Sequence, residues 1–190
     1  MGKLVVTEFV TVDGVFEDPG GSENTERGGW AFEFDRGEEG EKFKADETME
    51  ADAQLLGRKT YEEFAKAWPS REGEFADKFN SMPKYVVSTT LKNPEWQKTT
   101  VIDWDDPAAE IRKLKEEIDG PIVVAGGAKL VKFLLDEGLV DELRLMVFPV
   151  VLGKGRRLFL DHTTKNPLEL VDLRPVGSDG VVIQVYRPRS

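Results

Sequence analysis

The sequence predicts an α/β fold in which one mixed, mostly parallel sheet carries helices on both faces and ends in an antiparallel hairpin. From Ala53 onward, short apolar segments alternate with segments of helical periodicity, as in repeated strand-helix units. Glycines stand between strand and helix in two of these units, at Gly57 and at Gly126. After Glu142 only strand patterns follow, and the last two flank a turn at Gly177.

The 190 residues are expected to form one domain, and its elements follow in order. A β-branched run from Leu4 to Thr11 predicts a central strand, and an irregular glycine-rich stretch follows from Glu17 to Gly40. A helix is predicted from Glu41 to Asp52, with Phe43 and Met49 facing the core and the acids facing solvent. The remaining predictions are strands at 53–56, 84–88, 101–102, 121–124, 142–147, 168–173 and 181–187, and helices after Gly57, near 75–79, from Pro107 to Gly120 and after Ala128.

The composition excludes several classes of function. The chain has no cysteine, which rules out disulfides, thiol nucleophiles and cysteine zinc sites and is compatible with a reducing compartment. Its single histidine, His162, is expected at the surface, and no metal site is predicted. The net charge of −10 repels nucleic acid and anionic membranes, and no apolar run approaches the ~20 residues of a membrane span. We expect a soluble, cytoplasmic protein whose anionic ligands need a local cluster of cations.

The junction at Gly57 has the properties of a phosphate site. Glycine lets the backbone approach a ligand closely, and the first amides of the following helix lack intrahelical partners. Arg58 and Lys59 add two positive charges at this positive end of the helix dipole. An ordinary strand-to-helix corner with solvated cations would have the same sequence, so other segments have to decide between the two interpretations.

Two further segments point to the same edge of the sheet. The strand that starts at Lys84 ends in the hydroxyl residues Ser88 and Thr89, and the strand at 121–124 runs into Gly126 and Gly127. In an open α/β sheet, ligands bind outside the carboxyl ends of the parallel strands. If these strands are parallel, all three segments meet there and favour a ligand site.

The irregular stretch from Glu17 to Gly40 is long for a connection in a compact domain, and long ordered loops are usually lids or binding loops. It contains Trp30 and Phe34, which could form the floor of a ring-binding pocket. The alternative is that both aromatic residues attach the loop to the core.

In combination, four motifs resemble the dihydrofolate reductase-like superfamily. They are GRKTYE at 57–62, VVST at 86–89, VAGGAKLVKFLL at 124–135 and LVDELRLMVFPVVLGKGRRLF at 139–159. The resemblance is greatest to the reductase domain of the bifunctional deaminase-reductase of riboflavin biosynthesis, in its free-standing form. It implies a dihydrofolate reductase-like three-layer fold and a reductase that uses NADPH.

The resemblance also implies which residues bind the dinucleotide. They are Gly57, Arg58, Lys59, Thr60, Ser88, Thr89, Gly126, Gly127 and Ala128. Arg58 and Lys59 suit the 2′-phosphate that distinguishes NADPH from NADH. The glycine pair would let the pyrophosphate approach the helix that starts near Ala128.

On the substrate side, the resemblance implicates Asp13, Gly14 and the loop that bears Trp30. Gly153 and Lys154 belong to a cationic loop that could hold a substrate phosphate or could simply be solvated. Reduction of a C=N or C=O bond needs a proton donor, and the candidates are Asp13 and the acids that precede the Gly57 turn, namely Glu41, Asp46, Glu47 and Glu50. The sequence does not choose among these acids.

The favoured reading is therefore an NADPH-dependent reductase of a small heterocyclic or ribosylamino-pyrimidine-like substrate. A pterin or dihydrofolate reductase and a non-catalytic NADPH-binding protein are the alternatives. The deaminase part of the bifunctional relatives needs a zinc site with cysteine ligands, and this chain has no cysteine. The resemblance further implies a homodimer formed through the strand-rich C-terminal part.

Overall fold

The structure, a computed structural model, describes residues 1–161 and 164–189, so His162 lies outside the described residues. The strands are β1 (Leu4–Thr11), β2 (Ala53–Gly57), β3 (Lys84–Val87), β4 (Thr99–Ile102), β5 (Ile122–Val124), β6 (Glu142–Phe148), β7 (Leu168–Val176) and β8 (Val181–Pro188). The helices are α1 (Gly37–Glu50), α2 (Arg58–Ala67), α3 (Glu74–Ser81), α4 (Pro107–Glu117) and α5 (Ala128–Asp136). Among the described residues, no helix is both long and apolar enough to cross a membrane.

The eight strands form one sheet in the order β4-β3-β2-β5-β1-β6-β8-β7. The six strands from β4 to β6 in that order are parallel, whereas β8 pairs antiparallel with both β6 and β7. This arrangement confirms the predicted mixed sheet and C-terminal hairpin. Helices lie in the connections from β1 to β2, β2 to β3, β4 to β5 and β5 to β6, as is usual between parallel strands, whereas residues 88–98 join the parallel strands β3 and β4 without a helix.

The strand register brings the predicted ligand segments to one edge. Val6 of β1 and Leu55 of β2 both pair with Val124, the last residue of β5. Gly57 pairs with Val87 at the end of β3. Since these strands are parallel, the residues that follow them emerge side by side at the carboxyl edge of the sheet.

The central strands bury both of their faces, so adjacent residues belong to different clusters. Leu55 packs in the main core with α4 and α5, where Ile111 and Leu134 are fully buried. Its neighbour Leu56 packs on the other side with Tyr61 of α2 and Phe79 of α3. Helices therefore cover both faces, which explains the continuous apolar runs of β1 and β2.

Helix α1 differs from its prediction in position and in its buried face. It starts at Gly37 and ends at Glu50, four residues earlier than expected at its start. Met49 is exposed, and Glu47 is buried. The prediction that all acids of this helix face solvent is wrong, because cations and a hydroxyl group compensate Glu47 inside the protein.

Candidate active site

Two cavities adjoin the sheet. The first, here called the turn cavity, has a volume of about 560 Å³ and lies where α2 and α5 begin. It is lined by Phe16, Gly57, Arg58, Lys59, Thr60, Val87, Trp104, Gly127, Ala128, Lys129, Leu130, Arg156, Arg157 and Leu160. Most of the sequence-predicted residues of the two glycine turns thus line one cavity, although Gly126 is not among the lining residues.

The two glycine turns also contact each other directly. Gly126 and Gly127 have φ angles of 74° and 84°, in the left-handed region that glycine adopts without strain. A Cβ atom at Gly126 would lie 2.4 Å from the hydroxyl oxygen of Thr60. Glycine is therefore required at position 126 both by its backbone conformation and by the close approach of the first turn.

Arg58 connects the first turn to the end of β3. Its Nη1 donates a hydrogen bond to Oγ1 of Thr90 at 2.5 Å, and its Nε lies 3.1 Å from Glu62. Ser88 itself is buried, and its hydroxyl oxygen accepts hydrogen bonds from the amides of Thr90 and Leu91. Ser88 thus shapes this turn, and neither Ser88 nor Thr89 is among the residues that line the turn cavity.

Acidic residues of the long loop meet the cations of the turn cavity. Glu23 lies 3.1 Å from Nζ of Lys59 and 2.5 Å from Nη2 of Arg156. Glu17 lies 2.9 Å from Nε of the same arginine. The loop between β1 and α1 is therefore held against the cationic lining of this cavity.

The predicted cationic loop is divided between different environments. Arg156 and Arg157 line the turn cavity, whereas Lys154 pairs with Glu26 at 3.1 Å on the surface. The amide of Gly153 donates a hydrogen bond to Asp13 at 2.8 Å. Neither Gly153 nor Lys154 lines either cavity, so the structure does not bring these two residues to a substrate position.

Asp13 holds two loops together. Its carboxylate accepts hydrogen bonds from Thr11 and from the amides of Leu152 and Gly153. Burial acts to raise the pKa of Asp13, but these hydrogen bonds outweigh it and leave the pKa below its usual range. Asp13 lines neither cavity, and its contacts favour a role in joining the two loops over the predicted role of proton donor. Gly14 forms the adjoining turn, with a φ angle of 80°.

Trp30 is the second substrate-side residue that the structure corrects. It lies in a 3₁₀ turn, Trp30–Glu33, and only 1% of its surface is exposed. Its ring packs edge-on against Phe148 at 5.3 Å, and its indole N–H donates to the carbonyl of Glu17 at 2.9 Å. A ligand has no access to a ring so enclosed, and Trp30 instead attaches the loop to the core.

The second cavity, here called the ring cavity, has a volume of about 690 Å³ and lies between α1, α2 and α3 and the sheet. Its aromatic and apolar wall consists of Phe64, Trp68, Phe75, Phe79 and Met82, and the sheet and α1 contribute Thr7, Glu8, Lys44, Glu47 and Gln54. A lining that combines aromatic side chains with a few polar groups suits a planar, polar heterocycle.

The acids proposed from the sequence have different environments around this cavity. Glu41 lines it but is exposed and pairs with Arg36 at 2.6 Å. Asp46 pairs with Lys42, and Glu50 is exposed and does not line the cavity. These three acids are therefore solvated or paired at the surface of α1.

Glu47 is the buried acid of α1. It accepts hydrogen bonds from the hydroxyl of Thr7 at 2.9 and 3.0 Å, and it lies 2.5 Å from Nζ of Lys44 and 3.5 Å from Arg144. Two cations and a hydroxyl group stabilise a carboxylate in this position. These contacts hold the Glu47 side chain in place on this side of the cavity.

Glu8 is the titratable residue that sequence reasoning missed. Burial in the sheet, with 9% of its surface exposed, raises its pKa to about 8 despite the hydrogen bond from the amide of Gly126. The group is thus largely a neutral carboxylic acid at neutral pH. A signal was available, because a glutamate inside the apolar strand LVVTEFVT places a costly group in the core.

Comparisons with known proteins agree with this architecture. Residues 2–182 match the family described as the RibD C-terminal domain. The uncharacterized Bacillus subtilis protein YyaP is 36% identical over 71% of this chain and 73% of its own length. The uncharacterized protein YwjB of the same organism is 30% identical over 99% of this chain and 98% of its own length.

Solved structures share the fold. A protein from Shewanella sp. PV-4 assigned to riboflavin biosynthesis superposes with a TM-score of 0.70 at 18% identity, over 99% of both chains. Dihydrofolate reductase from Enterococcus faecalis, complexed with NADP(H), gives 0.61 at 17% identity over 100% of this chain and 98% of its own. The deaminase and 5-amino-6-(5-phosphoribosylamino)uracil reductase of Thermotoga maritima gives 0.66 at 19% identity, over 99% of this chain and 57% of its own.

Proposed function

Because the chain belongs to the family of RibD C-terminal domains, we propose that it is an NADPH-dependent reductase of a small heterocyclic, ribosylamino-pyrimidine-like substrate. The observation that carries the proposal is the hydrogen bond between Glu8 and Gly126. It joins a neutral acid in the lining of the ring cavity to the glycine turn of the turn cavity. A cofactor site and a proton donor would thus be adjacent.

The residues around the turn cavity support the proposal of a dinucleotide cofactor. The amides of the first turn of α5 follow Gly127, whose missing side chain leaves room for a phosphate group to approach. Arg58 and Lys59 are the first two residues of α2 and are exposed, so their side chains can form ion pairs with a 2′-phosphate. Thr60, Ala128 and the apolar Leu130 complete the lining.

When bound, NADPH supplies the hydride, and the residues of the chain supply the rest. The aromatic wall with Trp68 and Phe79 orients a planar ring and excludes water. Glu8 holds a proton at neutral pH and can donate it to the nitrogen or oxygen atom of the C=N or C=O bond whose carbon accepts the hydride. Glu47 and Lys44 keep the sheet side of the cavity rigid through Thr7.

The first experiment measures NADPH oxidation with 5-amino-6-(5-phosphoribosylamino)uracil, its dephosphorylated form and dihydrofolate. The proposal expects turnover of the pyrimidine. Turnover of dihydrofolate alone, with inhibition by methotrexate, would identify a pterin reductase instead. NADPH binding without turnover of any of the three would favour the non-catalytic alternative.

The second experiment tests the assigned roles. Glu8→Gln removes the proton donor and keeps the size of the side chain, so kcat should fall about 100-fold while NADPH affinity stays unchanged. Arg58→Ala should weaken NADPH about ten-fold and leave NADH unaffected. Lys66→Ala, an exposed cation in the last turn of the same helix, is the matched control. If Arg58→Ala loses the same affinity for NADPH and for NADH, Arg58 does not bind the 2′-phosphate.

We further propose that the protein is a cytoplasmic homodimer. The edge strand β7 exposes Leu170, Val171 and Leu173, next to a register shift in its pairing with β8. Exposed apolar side chains on an edge strand are a surface that a second copy could cover. The cysteine-free composition is compatible with a reducing compartment. Sedimentation that shows a monomer at micromolar concentration would contradict the dimer.

A further inference from the structure

Gln54 is a polar residue in the middle of an apolar strand. It lies on β2 between Ala53 and Leu55, both completely buried, and 4% of its own surface is exposed. The register places it beside Val123 of β5 and Lys84 of β3. Gln54 is among the residues that line the ring cavity.

The side chain of Gln54 has no hydrogen bond within the part of the chain that the structure describes. Its backbone amide is satisfied by the carbonyl of Pro83 at 2.9 Å. Its side-chain oxygen Oε1, however, is buried without a partner among residues 1–161 and 164–189. Buried polar atoms in folded proteins almost always have a partner, and leaving one unpaired destabilises the protein. An apolar residue in this position would leave no buried polar atom without a partner, so the unpaired Oε1 atom of Gln54 indicates a ligand.

The chemistry of the side chain specifies that ligand. A primary carboxamide presents an acceptor and a donor side by side, which match the adjacent N–H and C=O groups of a cyclic amide. Trp68 and Phe79, whose ring centroids are stacked 4.3 Å apart, also line this cavity and favour a flat ring. Glu8 supplies a further polar group in the same lining.

We propose that Gln54 is a specificity-determining residue that binds the lactam edge of the substrate ring. This inference rests on the proposed function, because it specifies the class of ring that the same cavity binds. Substrates of this class carry an unsubstituted N–H next to a ring carbonyl, as uracils and pteridinediones do. A ring whose N–H is methylated has no donor for Oε1 of Gln54, leaves that buried atom unpaired and is therefore rejected.

The inference predicts opposite effects of one substitution on stability and on binding. Gln54→Met keeps the length of the side chain and removes the unpaired amide, so the melting temperature of the free protein should rise by about a few degrees. The same variant should lose its preference for lactam rings. Gln97→Met, at an exposed glutamine, is the matched control and should change neither property.

The probes are lumazine, which is a pteridinedione, and 1,3-dimethyllumazine. Calorimetry at saturating NADPH should show that wild-type protein binds lumazine about ten- to a hundred-fold more tightly than the dimethyl compound. Gln54→Met should bind both with similar affinity. Retained discrimination in this variant, a lower melting temperature than wild type, or no binding of lumazine to wild type at millimolar concentration would each overturn the inference.

NADPH binding separates this inference from the proposed function. Gln54→Met should bind NADPH with wild-type affinity, because Gln54 does not line the turn cavity. If wild-type protein discriminates between the two lumazines but binds no NADPH, the proposed reductase activity fails and the role of Gln54 stands. If NADPH binds and turns over a pyrimidine while Gln54→Met discriminates normally, only the role of Gln54 fails.

Discussion

The carboxyl group of Glu8 accepts a hydrogen bond from the backbone amide of Gly126, and this bond ties strand β1 to the glycine turn after β5. The two residues are 118 positions apart in the sequence. The bond fixes a buried acid, with a pKa of about 8, at the boundary between the linings of the two cavities. The proton that Glu8 carries also couples protein stability to pH.

Replacing Glu8 by glutamine should change how stability depends on pH. The folded protein keeps a proton on Glu8 up to a pH of about 8, whereas the unfolded chain releases it above about 4.5. Between these values the native state binds more protons, so the contribution of Glu8 to stability is lost as the pH rises. Denaturant unfolding at pH 5 and pH 8 should show wild type losing a few kcal/mol relative to Glu8→Gln, at about 1.4 kcal/mol per pKa unit. Parallel pH profiles for the two proteins would mean that Glu8 titrates normally.

Gly126→Ala should disrupt the contact between the two glycine turns. The added Cβ would lie 2.4 Å from Oγ1 of Thr60, and the φ angle of 74° strains any residue with a Cβ atom. We expect a loss of about 2 kcal/mol of folding free energy, together with weaker NADPH binding. Adding Thr60→Ala removes the atom nearest to the new Cβ and should restore part of both. If the double variant is no better than Gly126→Ala, backbone strain alone accounts for the damage.

Trp30→Ala and Phe32→Ala test which aromatic residue attaches the long loop to the core. Trp30 is buried against Phe148, so its truncation should cost about 3–5 kcal/mol. Phe32 is 76% exposed two positions later, and its truncation should cost less than about 0.5 kcal/mol. Chemical denaturation measures both. Similar small effects would show that the loop is not attached to the core through Trp30.

Lys84→Met should destabilise the end of α3. Lys84 is fully buried, and its Nζ donates to the carbonyls of Asn80, Met82 and Gln97 at 2.8–3.1 Å. Two of these carbonyls lie at the C-terminal end of the helix, where intrahelical donors are missing. Methionine fills the volume but donates nothing, so we expect a loss of about 2–4 kcal/mol. Lys92→Met, at an exposed lysine, is the control, and equal stability of the two variants would contradict the assignment.

Local patterns in the sequence were sufficient for most of the fold. The apolar run at 4–11 and the alternation of strand and helix patterns after Ala53 specify β1 and the parallel units, because burial on both faces requires continuous apolar residues. The turn at Gly177 specifies the last hairpin through its glycines. The buried face of α1 was not predictable in this way, since the partners of Glu47 include Thr7 and Arg144 from distant strands.

By itself, the sequence determined the mixed sheet and the two glycine turns at its carboxyl edge, since periodicity and glycine positions are local properties of the chain. Only the tertiary structure decided which side chains face a cavity. In the folded protein Trp30 is buried in the core, and the carboxylate of Asp13 accepts hydrogen bonds that join two loops. The tertiary structure also revealed Glu8 and Gln54, because the protonation and hydrogen bonding of a buried polar group depend on neighbours from other elements of the fold.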